Sequence, residues 1–114
     1  MSRSRWHIRD DGAELVLSRR NPPVLDVSAQ TILPDAGRTR LAHQVRQDMW
    51  RALQGVRGFS PVICVRRDGG RLHLRAGGQV ARPFDAQRLS DRIAAVLENP
   101  ANRARWVAFA GGGR

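Results

Sequence analysis

Residues 62–78 read VICVRRDGGRLHLRAGG. A β-branched run, an Asp-Gly-Gly turn and a second alternating run predict a β-hairpin. Strand side chains alternate between faces, so Ile63, Val65, Leu72 and Leu74 share one side. Cys64, Arg66, Arg71, His73 and Arg75 share the other. The first set asks for a hydrophobic layer. The second can carry positive charge or donate hydrogen bonds at four of its five positions. Like charges on neighbouring strands repel, so such a cluster persists more readily where an anion neutralises it. A two-stranded ribbon can also enter a DNA major groove or lie along a phosphate backbone. The plainer alternative is a solvated outer face that guards the sheet against aggregation.

Moving outward from the hairpin, residues 38–56 give the clearest helical pattern. Leu41, Val45, Met49, Ala52, Leu53 and Val56 recur at intervals of three and four, which marks one apolar stripe. Gly55 and Gly58 bracket its end. On the other side, Asp85 is a suitable N-cap for a second helix, with Phe84 placed to staple onto Leu89. Leu89, Ile93, Val96 and Leu97 form its stripe. Asn99-Pro100 ends that helix and opens a third, carrying Trp106 and Phe109. Residues 5–20 read as another hairpin, in which Trp6 and Ile8 alternate before Asp11-Gly12 and Leu15 and Leu17 after it. Asn21-Pro22-Pro23 breaks the chain, because two prolines remove two ladder donors. Val24 to Val27 follows as a short third strand, closed by residues 34–37.

The expected fold is therefore α+β: a small single domain over residues 1–110 with element order βββ-α-ββ-α-α. It has an antiparallel sheet with helices packed on one face. A flexible Gly-rich tail over 111–114 completes the chain.

Read at about 100° per residue, the central helix turns Trp50 away from its apolar stripe. His43, Arg46, Gln54 and Arg57 flank it. An indole set among arginines suits nucleic acid, since its face stacks on bases while guanidinium groups contact phosphate. The plainer reading covers Trp50 with the N-terminal strands or the last helix, the commoner outcome for a large aromatic.

Charge points the same way. Twenty basic residues, all arginine, face ten acidic ones, for a net +10 over 114 residues. Codon pressure in a GC-rich genome can account for arginine over lysine, but not for a two-to-one excess of base over acid. That excess favours a polyanionic partner. The lone Cys64 rules out an internal disulfide framework and a cysteine-rich zinc module. His7, His43 and His73 fall on different elements without ligand spacing, so no metal or other cofactor is expected. Cys64 and His73 could approach across the hairpin, but no orienting third residue or oxyanion loop accompanies them. With no phosphate-binding loop, dinucleotide fingerprint or HExxH motif, enzyme activity is not expected. No apolar run approaches the roughly 18 to 20 residues that span a bilayer. The first residues lack a signal core, so a cytoplasmic location away from membranes is the expectation.

The α-ββ-α order of residues 38–98 resembles the α-β-β-β-α order of double-stranded-RNA-binding domains. That family's basic cluster at the start of its second helix is missing, since the corresponding turn here reads DAQRLSD. The expected function is nucleic-acid binding, DNA ahead of RNA, through Arg46, Trp50, Arg57, Arg66, Arg71, His73 and Arg75. The alternative is an adaptor or regulatory subunit that holds an acidic protein partner through Trp50 or Trp106.

Overall fold

The hairpin forms around the turn its sequence demands. Gly69 and Gly70 both adopt positive φ, +59° and +77°, the backbone of a two-residue turn that matches the right-handed twist of its strands. A computed structural model describes residues 6–111. The elements are β1 (His7–Asp10), β2 (Glu14–Ser18), β3 (Val27–Pro34), α1 (Arg38–Ala52), β4 (Ser60–Asp68), β5 (Arg71–Gln79), α2 (Ala86–Glu98) and α3 (Pro100–Phe109). The order matches the sequence expectation. All pairings are antiparallel, in one five-stranded sheet ordered β1-β2-β4-β5-β3. Of the expected tail, residues 112–114 lie outside the described residues.

Ladder register sets the faces. Leu15 pairs with Val65 and Val65 with Leu74, while Leu17 pairs with Ile63 and Ile63 with Ala76. Leu72 stands opposite Leu33. All eight are buried under the helices. Leu41, Val45, Met49 and Leu53 of the central stripe, with Leu89, Ile93 and Leu97 from α2, complete the core.

Two boundaries differ from the sequence reading. The third strand runs over Val27–Pro34 rather than Val24 to Val27. Asp26 explains the shift: its N–H donates to Gly78 O at 2.9 Å and its carboxylate accepts from Val80 N–H at 3.0 Å. The chain thus joins β5 from Asp26 onward. Ser28, Ala29, Gln30 and Thr31 carry little hydrophobic contrast, so alternation could not reveal them. The crossing is also why β5 contains Gly77, where a Cβ would collide with the Val27 carbonyl. The central helix stops at Ala52 rather than 56, with Leu53 as its C-cap. Arg92 of α2 donates to Ala52 O at 2.6 Å, capping a carbonyl left outside the helical ladder. A turn closed by Val56 N–H to Leu53 O holds Val56 against the core. The apolar period therefore continues past the point where the helix ends.

The other caps form as read. The Asp85 carboxylate accepts from Arg88 N–H, and Asn99 Oδ1 accepts from Asn102 N–H, each at 3.0 Å, with Pro100 in the first turn of α3. The C-terminal half of that helix is held to both ends of α1. Gly37 N–H donates to Ala110 O at 3.0 Å. Near the opposite end, the Asp48 carboxylate, 9% exposed, accepts from Trp106 Nε1 at 2.5 Å and Arg105 Nη1 at 3.0 Å. Trp106 is fully buried.

Two substitutions probe this packing. Leu53→Ala should cost roughly 2 to 5 kcal/mol in urea unfolding, as a core truncation that leaves a cavity. Asp48→Ala should cost about 1 to 3 kcal/mol by stranding the buried indole N–H. An unchanged unfolding midpoint in either variant would contradict the assigned packing.

Candidate functional site

With the helices on one side, the other face of the sheet presents successive rows of side chains, two of which hold most of the outer hairpin residues. Across one row, Glu14 pairs with Arg66, Arg66 with His73 and His73 with Ile32. Across the next, Arg9 pairs with Val16, Val16 with Cys64, Cys64 with Arg75 and Arg75 with Gln30. Arg71 stands opposite Asp68 beside the turn. The five outer hairpin residues named from the sequence are therefore brought together, and Arg66, Arg71 and Arg75 are exposed.

Their charge is partly balanced on the spot. Asp68 lies 3.4 Å from Arg66 and 3.9 Å from His73. Glu14 faces Arg66 across the ladder. Arg75 faces a thiol and an amide instead. Arg9, Arg71 and Arg75 have no side-chain hydrogen bond or ion pair among the described residues. Among the described residues, no Phe or Trp occupies an open-face strand position, and His73 is the ring present there. Beside Val16 and Ser18, Trp6 and Arg9 at the start of the chain and Asn21 and Pro23 from the connection between β2 and β3 line a groove of about 350 Å³.

The structure does not bring the helical residues to this face. Trp50 is 44% exposed, so it is not covered by the strands or by α3. It points away from the buried stripe of α1, on the helical layer rather than on the sheet. Arg46 does not flank it as a free cation. Its guanidinium stacks 4.6 Å from the centroid of Trp6, and burial lowers its pKa. Burial, and then Arg46 itself, hold His43 below the ordinary imidazole value, so it is neutral at pH 7. Arg57 leaves the Trp50 face because α1 ends five residues before it. Trp106, offered from the sequence as an adaptor contact, is enclosed in the core. The seven candidate residues thus divide into an open-face group and a scattered helix-side group.

Arg9, Glu14 and Gln30 join the open face without having been singled out from the sequence. Alternation along β1 and β2 could have paired Arg9 with Val16. Only the non-local pairing of β2 with β4 sets either beside Cys64.

Cys64 shows what this face does to chemistry. Burial, reinforced by Glu14, pushes its thiol up to about 11 against a slight opposing pull from Arg75. The thiol is protonated at neutral pH and a poor nucleophile. Among the described residues, no three His, Cys, Asp or Glu side chains gather as a metal site. No helix of the described chain is long and apolar enough to cross a membrane.

Comparison with protein-family models, curated proteins and solved structures gives no match. The resemblance in element order to double-stranded-RNA-binding domains is not carried further by the sheet. Here two strands, not three, lie between α1 and α2, and β2 and β3 flank them.

The thiol provides a direct check. At pH 8, Cys64 in the folded protein should react with iodoacetamide more slowly than in urea, on the order of tenfold or more, because burial leaves far less thiolate. Equal rates would mean that the thiol is not shielded. Because the folded pKa is the raised one, the related stability is present below pH 9 and is lost as pH rises through 11.

Proposed function

We propose that this protein binds nucleic acid through the open face of its sheet, DNA ahead of RNA, by contacts to phosphate. The observation that carries this reading is the line of Arg71, His73 and Arg75 along β5, with Arg66 beside it on β4 and no helix over them. Alternate residues on a strand stand roughly 7 Å apart, close to the spacing of successive phosphates along a nucleic-acid strand. Guanidinium groups bind phosphate in a bidentate fashion. With no Phe or Trp at its strand positions, this face offers only the His73 imidazole to a splayed base, which favours a stacked duplex over a single strand. Such contacts supply affinity with little sequence reading. Arg46, Trp50 and Arg57 play no part in this interface.

Exposed Trp50 supports a second reading, in which the helical layer holds an acidic protein partner. The two readings place their contacts on different elements, the sheet and α1. Purified protein that carries no nucleic acid at low salt, judged by its 260/280 nm absorbance ratio, would favour the second.

Fluorescence anisotropy with a short DNA duplex tests the first. Three phosphate contacts should lower affinity on the order of 50-fold between 50 and 200 mM salt. Combined Arg71→Glu and Arg75→Glu should abolish binding while leaving the circular dichroism spectrum and unfolding midpoint unchanged. Salt-independent binding, or full affinity in the double variant, would reject this interface.

A further inference from the structure

At one end of the sheet, the loop after α1 and the loop after β5 close on each other. Ala81 N–H donates to Arg57 O at 2.9 Å. Gly58, at φ +69°, lies so near that a Cβ would stand 2.9 Å from Ala81 Cβ. Between these loops and the first turn of α2 is a cleft of about 340 Å³. Arg57, Arg82 and Arg88 line it, together with Val56, Phe84 and Leu89. All three arginines are exposed, and their side chains have no hydrogen bond or ion pair among the described residues. The one acidic residue in the lining, Asp85, is committed to capping Arg88 N–H. The cleft therefore sets three guanidinium groups against one carboxylate and keeps a surplus of positive charge.

Three cations gathered around one carboxylate repel one another, and a bound dianion would remove that cost. The apolar half of the lining is equally specific. Leu89 is buried, Val56 and Phe84 are half-buried, and all three present carbon to the same cleft. Arginine forks beside an aromatic ring suit a molecule with a phosphate at one end and a flat or apolar body at the other. Arg57 is available because α1 stops at Ala52, which sends it toward Arg82.

We infer that this cleft is a binding site for a small organic phosphate, separate from the sheet face. Arg57, Arg82 and Arg88 hold the phosphate, and the body rests on Val56, Phe84 and Leu89.

Backbone-amide NMR titrations of the full chain with adenosine 5′-monophosphate, inorganic phosphate and adenosine test the assignment. The nucleotide should move the amides of residues 55–58 and 81–89. It should bind on the order of tenfold more tightly than inorganic phosphate or adenosine. Arg57→Gln with Arg82→Gln should weaken nucleotide binding by at least about tenfold with an unchanged unfolding midpoint. Arg88→Gln alone should weaken it in the same direction. Arg71→Glu with Arg75→Glu should leave it intact, so that failure of the sheet-face interface and failure of the cleft are read separately. Equal affinity for nucleotide and adenosine would overturn the phosphate assignment, and equal affinity for nucleotide and inorganic phosphate would overturn the organic body. Shifts confined to other residues, or no shift with any probe, would overturn the site itself.

Discussion

Everything in this protein hangs on the ladder between β4 and β5, nine paired positions from Ser60↔Gln79 to Asp68↔Arg71, closed by two glycines. Once that register exists, each side chain on either strand is assigned to a face. Ile63, Val65, Leu72 and Leu74 must be covered, and Arg66, Arg71 and Arg75 must not. A slip of one residue would drive arginines into the core and aliphatic groups into water, so slipped pairings are strongly disfavoured. The outer edges of this hairpin are then completed by β2 and β3, which satisfy its remaining backbone groups.

The helical layer closes over that hydrophobic face by a different kind of contact. Apolar stripes on α1 and α2 provide area, but α3 carries a single fully buried anchor, Trp106. Its indole N–H needs a partner in an apolar setting, and Asp48 supplies one from α1. The carboxylate is in turn held by Arg105, with Arg51 at 3.6 Å. Because α1 uses its aliphatic stripe on the sheet, Trp50 is left facing outward. The same geometry that buries one indole exposes the other.

The arginine excess serves more than one purpose. Arg92 and Arg103 cap carbonyls: Arg92 at Ala52, and Arg103 at Leu97 and Ile32. Arg38 and Arg67 bind Asp10 and Asp35, each at 2.8 Å. Pairs of this kind near the surface add little stability on their own, but they remove those guanidinium groups from any binding role. Among the described residues, Arg9, Arg71 and Arg75 on the open face and Arg57, Arg82 and Arg88 in the cleft are left unpaired, while Arg20 and Arg40 stand unpaired elsewhere.

Much of the fold was legible locally. Period-two alternation, the glycine turn, the stripes of α1 and α2, and the Asp85 and Asn99 caps each depend on residues within a few positions of one another. They determined element type and order, and which hairpin residues share a face. β3 was harder to see, because an edge strand built from Ser, Ala, Gln and Thr has weak hydrophobic contrast. The end of α1 was hidden because a turn can keep an apolar residue inward as well as a helix can.

The sequence alone determined the composition of each face, since alternation and helical period are properties of the chain itself. Only the tertiary structure decided which faces meet. Arg66, Arg71, His73 and Arg75 lie with Arg9 rather than with Trp50, and Arg57 lies with Arg82 and Arg88. Those neighbours come from strand pairing and loop contacts between residues far apart in the chain. Burial of the aliphatic faces sets that arrangement, and no spacing of arginines along the chain reports it.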